Sequence, residues 1–158
     1  MRKITFALVL LIGCTNNATT PGGGATVAPK VGTWSYSEVT LVHNTCNPNV
    51  NNGEAGNFAI DQSSLTSFHV LPNDGNMAFT CTLDSGSFDC PNRIAQVYDY
   101  RPSVDAVATI HVDANGTFSS ATSATGSQDA TVDCAGSACS AYGPFPCTFS
   151  QDFAIQAQ

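Results

Sequence analysis

The chain has 158 residues and a formal charge of −7; 42% of its residues are apolar and only 11% charged. That is one domain's worth of chain, and five Lys and Arg against twelve Asp and Glu leave no basic surface on which to hold nucleic acid. The same acidity excludes electrostatic adhesion to anionic headgroups, so membrane contact has to come from something other than charge.

Residues 1–13 read as an export signal. Arg2 and Lys3 form a short positive region, and the nine residues Ile4 to Ile12 are apolar apart from Thr5. Such a run is too short to span a bilayer, which takes roughly 20 residues, but it fits the roughly 7–15 residues of a signal's apolar core. Leu11-Ile12-Gly13-Cys14 closes the segment and resembles the lipobox of bacterial lipoprotein precursors. The resemblance implies that the leader is removed before Cys14, which is thioether-linked to diacylglycerol and becomes the first residue. The family's sorting rule adds that Thr15, which is not Asp, directs the protein to the outer membrane of a bacterial envelope, on its periplasmic or surface face. Removal of the leader leaves Lys30, Arg93 and Arg101 against twelve carboxylates, a formal charge of −9 (3 minus 12).

Lipidation also resolves the odd count of seven cysteines. With Cys14 assigned to lipid, Cys46, Cys81, Cys90, Cys134, Cys139 and Cys147 remain. An even number in an oxidising compartment reads as three disulfides.

Residues 15–30, TNNATTPGGGATVAPK, carry no apolar periodicity and hold a Gly triplet between two prolines. They read, with Cys14, as a flexible tether over 14–30, spanning about 20–24 Å by the random-coil rule. From Val31 to Gln158 no stretch repeats apolar residues at helical spacing, whereas Gly, Pro, Asn and Asp interrupt the chain at the spacing of sandwiches and barrels. Ten strands are expected, near 33–43, 56–61, 65–72, 76–83, 87–90, 94–100, 106–112, 117–123, 128–134 and 147–156. Alternation places Met77, Phe79, Cys81 and Leu83 on one face, likewise Ala106, Ala108, Ile110 and Val112, and likewise Phe149, Phe153 and Ile155 with a break at Gln151. The domain over 31–158 is therefore expected to be all-β, an antiparallel meander closed or nearly closed into a barrel, with a β-sandwich as the alternative.

Two turns can be read closely. Asp113-Ala-Asn-Gly116 ends in Asn-Gly, the strongest short hairpin signal. Asp84-Ser-Gly-Ser87 lies between two alternating runs; a two-residue loop at Ser85-Gly86 pairs Leu83 with Phe88 and Cys81 with Cys90. The latter falls on a non-hydrogen-bonded pair, whose Cα atoms approach to about 4.5 Å, within disulfide reach. If the meander closes with an even number of strands, the first and last strands are antiparallel neighbours. Cys46, just past the first strand, then lies near Cys147 at the start of the last. That pairing leaves Cys134–Cys139; the rival set is Cys134–Cys147 with Cys46–Cys139.

Candidate chemistry is sparse. The chain has no GxSxG, HExxH or Walker spacing, and no catalytic residue, cofactor or metal is assigned. His43, His69 and His111 each fall on a strand, but no two share the i, i+2 spacing that sets ligands side by side; they read as solvent-facing residues. The loop Asn47-Pro-Asn-Val-Asn-Asn-Gly-Glu54 has its Gly at the seventh position where an EF-hand needs the sixth, and reads as a surface turn. The Asn-x-Thr sequons at Asn17 and Asn115 read as tether and turn residues behind a bacterial lipobox. Trp34 and Tyr36 share one strand face, Tyr98 and Tyr100 another. Gly32-Thr33-Trp34 resembles the G-x-W opening of the lipocalin and avidin group of ligand-binding barrels, and Val97-Tyr-Asp-Tyr100 loosely echoes the lipocalin T-D-Y. The lipocalins' late arginine and C-terminal helix are absent from the pattern. The resemblance implies that Trp34 closes the base of a barrel and assigns no ligand contact.

The reading that follows is a lipid-anchored envelope protein. Its β-domain serves as a binding or surface-interaction module for a small apolar ligand or an envelope protein. A lipoprotein enzyme, a hydrolase, is the alternative.

Overall fold

Alternating apolar and polar side chains produce strands with one inward and one outward face, and here those strands close on themselves. The computed structural model describes residues 27–46, 56–73 and 76–158; Cys14, the leader, most of the tether and the Asn47–Glu54 loop lie outside them. The strands are β1 (Gly32–Asn44), β2 (Asn57–Ser63), β3 (Ser67–Pro72), β4 (Phe79–Asp84), β5 (Ser87–Asp99), β6 (Val107–Ser120), β7 (Ser123–Ala135) and β8 (Cys147–Ala157). Each pairs antiparallel with the next, and β1 pairs with β8, so an eight-stranded meander forms a closed barrel. The sandwich alternative falls with that closure, which also removes every sheet edge where the strands overlap.

Eight strands replace the ten expected because two pairs merge. The segments 87–90 and 94–100 are one strand, β5, with Pro91 and Asn92 at a bulge between Cys90 and Arg93. A bulge is where a strand tolerates a residue with no N–H to donate. The segments 106–112 and 117–123 merge into β6, so Asn115-Gly116 is no hairpin. These residues sit in mid-strand, opposite Ser127 and Gly126, and the connection to β7 comes at Ala121-Thr122. The Ser85-Gly86 turn is present, with φ of 51° and 84°, and its register runs Asp84↔Ser87, Leu83↔Phe88, Thr82↔Asp89.

Gly116 is required by packing rather than by a turn. Gly116 and Gly126 face each other across β6 and β7. A Cβ on Gly116 would stand 2.5 Å from the Phe88 ring, and one on Gly126 2.8 Å from the Phe153 ring. The paired glycines let both rings lie against bare backbone inside the barrel. There Phe118 takes the centre, with ring centroids 5.3 Å from Phe88, 5.4 Å from Phe68 and 5.9 Å from Trp34. Trp34 is fully buried, and its Nε1 donates to the Lys30 carbonyl at 2.8 Å. This end of the barrel is a closed floor.

Both described chain ends lie at that floor. The Lys30 N–H donates to the Ala121 carbonyl at 2.7 Å, and Lys30 Nζ to the Gln158 carbonyl at 3.0 Å. Pro29 is buried. Val27–Lys30, assigned to the tether on composition, thus begin the folded domain.

At the other end the wall is uneven. β2, β3 and β4 have 6 or 7 residues, while the remaining strands have 11 to 14. Three disulfides tie the barrel. Cys46–Cys147 joins the end of β1 to the start of β8 with Cα atoms 5.0 Å apart, Cys81–Cys90 links β4 to β5 at 4.2 Å, and Cys134–Cys139 closes a short loop after β7 at 5.8 Å.

Candidate functional site: an apolar cavity at the barrel mouth

An eight-stranded barrel is wide enough to be filled by its own side chains or to hold one small ligand. This one does both, at different heights. Above the aromatic floor lies a cavity of about 420 Å³, within the range of small-molecule sites. Phe68, Phe88, Phe153 and Ile155 form its base and Phe58, Val70, Phe79, Val112 and Ala114 its sides, while Pro72, Asn73 and Asn76 stand where the short wall ends. Small residues make the space: Ala95, Val112 and Ala114 line the tall wall above the rings of the floor.

Polar groups converge on the cavity in small number. Tyr36 lies against Phe58 and Phe153, with centroids 5.5 and 5.7 Å away. Gln128 lines the wall, and its Nε2 donates to Oε1 of Gln151 at 2.8 Å. Gln151 is the break in the β8 apolar run, yet only 2% of it is exposed. It keeps the inward phase of Phe149, Phe153 and Ile155, and the amide of Gln128 satisfies it. Arg93 is the one charged side chain among the described lining residues. Its guanidinium carbon lies 3.5 Å from the centre of the Phe79 ring, and Nη1 donates to the Val112 carbonyl at 3.3 Å.

Of these lining residues, strand alternation or hairpin register in the sequence marks Tyr36, Phe79, Phe88, Cys90, Val112, Phe153 and Ile155, and none as a ligand contact. Counting outward from the Ser85-Gly86 turn gives Asn92 the inward phase of Phe88 and Cys90; the bulge at Pro91-Asn92 adds one residue against β6, so Arg93 pairs with Val112 and takes that phase instead.

The candidates singled out by sequence lie elsewhere. His43 is exposed on β1 opposite Ser150. His69 Nδ1 is 2.7 Å from Asp61 Oδ1 on the outside of the short wall, and His111 Nε2 is 3.5 Å from Asp133 Oδ2 on the tall wall. Among the described residues no group of His, Cys, Asp and Glu is arranged to hold a metal ion. Beside His69 a shallow cleft is lined by Ser63, Ser64, Ser67 and Thr80. Ser67 and Ser64 bond each other there, and no described serine hydroxyl bonds the imidazole. Tyr98, near the end of β5, and Tyr100, just past it, stack with ring centroids 6.1 Å apart and do not line the cavity. Beside them Arg101 pairs with Asp99 through two nitrogens, which holds the Asp99 carboxyl down at about 2. Asn115 is an exposed mid-strand residue.

On the outside of the tall wall Asn115, Thr117, Thr125, Asp129 and Asp152 are exposed on adjacent strands, while Val42, Leu71, Ile94 and Val97 are apolar residues exposed on other strands or further along them. No known family matches the chain, and neither does any curated protein or solved structure.

Proposed function

We propose that this protein is a lipid-anchored binding module of the bacterial envelope, and that the cavity at the barrel mouth holds a small apolar ligand. The observation that carries the reading is the division of the barrel interior. Aromatic rings fill the floor, while an open, apolar-walled space of about 420 Å³ is left at the mouth. Apolar walls with a few convergent polar groups are the usual composition of small-ligand sites.

The anchor rests on the lipobox and on cysteine parity. Six cysteines are used in disulfides, and Cys14 is the seventh. The chain enters the barrel at the floor, so a lipid on Cys14 attaches to the end opposite the mouth. The ligand then exchanges with the aqueous side rather than directly with the anchoring leaflet.

Two measurements test the two parts. Cys14→Ser should move the protein from the membrane to the soluble fraction, and a variant retained and processed like the wild type overturns the anchor. With that soluble full-length chain, a neutral environment-sensitive fluorophore such as Nile red should brighten on binding. Ala114→Phe, which fills the cavity, should abolish the signal with the circular dichroism spectrum unchanged. Equal brightening in both proteins overturns the cavity as the site.

A further inference from the structure

This inference rests on the cavity being a ligand site and names the kind of molecule that suits it. A side-chain amide inside an apolar core is costly unless hydrogen bonds replace the water it gives up. Two amides stand together inside this barrel. Gln128 on β7 and Gln151 on β8 are register partners, directly opposite each other. Gly126, Ala130, Phe149 and Phe153 share their inward phase along the two strands, and Ala114 and Leu41 pair with them across the next ones. The amides are therefore set among apolar neighbours.

A primary amide offers two N–H donors and a carbonyl acceptor. Gln128 Nε2 donates to Gln151 Oε1 at 2.8 Å, and neither glutamine side chain makes another hydrogen bond among the described residues. The two are not equivalent. Gln151 is almost wholly buried and does not line the cavity, whereas Gln128 does. Gln151 is thus the positioning residue, its carbonyl holding one N–H of Gln128. The Gln128 amide then stands at the wall with a second N–H and its own carbonyl still to use. It lies two residue steps mouthward of Phe153 at the cavity base. A hydrocarbon packed there would leave that donor and that acceptor unpaired, the unfavourable outcome for a buried polar group.

We propose that the ligand is an uncharged amphiphile. One hydroxyl or carboxamide group, able both to donate and to accept, pairs with the Gln128 amide, and an apolar body packs on Phe58, Phe88 and Phe153. Recognition of this kind needs no net charge at the wall.

The experiment uses the full-length Cys14→Ser chain, stripped of co-purifying lipid, and three probes of matched length: undecane, decanol and decanamide. Each is titrated against bound Nile red, in that chain and in the same chain with Gln128→Met and Gln151→Met. The double substitution nearly keeps both side-chain volumes and removes both partners at once, which is close to neutral for stability; the circular dichroism spectrum checks the fold. Affinity for decanol or decanamide relative to undecane should fall about tenfold in the variant, the scale of a neutral hydrogen bond to a buried group. The head group whose ratio falls further identifies an alcohol-like or an amide-like source. Ratios within about twofold of the starting values for both heads overturn the proposal, because an amide pair of purely structural role affects all three probes alike. If the double variant does not fold, the unaltered cavity decides. The infrared carbonyl band of bound decanamide, labelled with carbon-13 at that position, should lie below its position in dilute hexane. A band at the hexane position overturns the proposal, as does binding of undecane without either head-bearing probe. Binding of none of the three overturns the ligand site itself, a separate result.

Discussion

The floor and the mouth of this barrel are built from the same strands yet held together by different forces. At the floor Trp34, Phe68, Phe88 and Phe118 interlock, and Gly116 and Gly126 make room for rings. At the mouth the short strands stop, the interior is open, and cross-links take over: Cys46–Cys147 ties the first strand to the last, and Cys134–Cys139 braces the next loop. A second tie joins the loops after β5 and β7, where the Ser137 N–H and Oγ both donate to Asp105 Oδ2, at 2.9 and 2.7 Å. An open cavity removes the packing that would otherwise fix the surrounding strands. Covalent and polar ties at the rim hold it in shape instead.

If that division is right, the largest single loss comes from the mouth. Replacing Cys46 and Cys147 together by Ala frees a loop of 101 residues. Chain entropy alone then predicts a destabilisation of about 4–5 kcal/mol. Urea titration of the double variant measures it, and a loss below about 2 kcal/mol would mean that hydrogen bonding already secures the seam between β1 and β8.

Truncation of side chains should show the opposite asymmetry. Phe118→Ala opens a void among three rings at the floor and should cost about 3–5 kcal/mol. Val112→Ala at the cavity wall makes no new enclosed void, so only the transfer term remains, about 1–2 kcal/mol for two methyl groups. Equal losses would show that the mouth is as tightly packed as the floor and that the cavity closes in solution.

Adding atoms probes the same contrast. Gly126→Ala sets a methyl 2.8 Å from the Phe153 ring and 2.3 Å from the Asn115 carbonyl oxygen. Overpacking of this kind costs about 1–3 kcal/mol, whereas Ala95→Val adds volume into open space and should stay within about 1 kcal/mol while weakening ligand uptake. Thermal melts of the two variants side by side decide the point.

The floor was more legible in the sequence than the mouth, for physical reasons. Period-2 alternation marks Trp34 and Tyr36, Cys81 and Leu83, and Phe153 and Ile155 as inward residues, because alternation is local. The Ser85-Gly86 register could be counted because its turn admits positive φ at both residues. Asn115-Gly116 carried the same signal for a different reason: the glycine answers rings on β5 and β8, which no local pattern reports. Pro91 looked like a strand end and is instead a bulge, and that bulge is what brings Arg93 to the cavity. The cavity itself depends on which side chain volumes meet across the barrel, so it emerges only with the full pairing.

The smallest expected effect concerns the rim's charges. Arg101 holds Asp99 at about 2, below its ordinary value of 3.8, chiefly by side-chain and then backbone hydrogen bonds. Asp105 is lowered too, by its bonds from Ser137. A carboxyl depressed in the folded state contributes stability that is fully present above the unfolded value. The contribution is lost as pH falls from about 4 toward about 2, because the folded protein then resists a proton that the unfolded chain accepts. Asp99 is fully exposed, so water and salt screen the pair and the effect should be small. Asp99→Asn should flatten the acid limb of the stability curve slightly between pH 4 and 2 and leave the curve above pH 5 nearly parallel to wild type. Asp105→Asn additionally loosens the tie to Ser137, so it should lower stability at neutral pH as well as flatten the acid limb. If neither variant changes the acid slope or the stability at neutral pH, the rim is held by the disulfides alone and these polar ties contribute nothing to it.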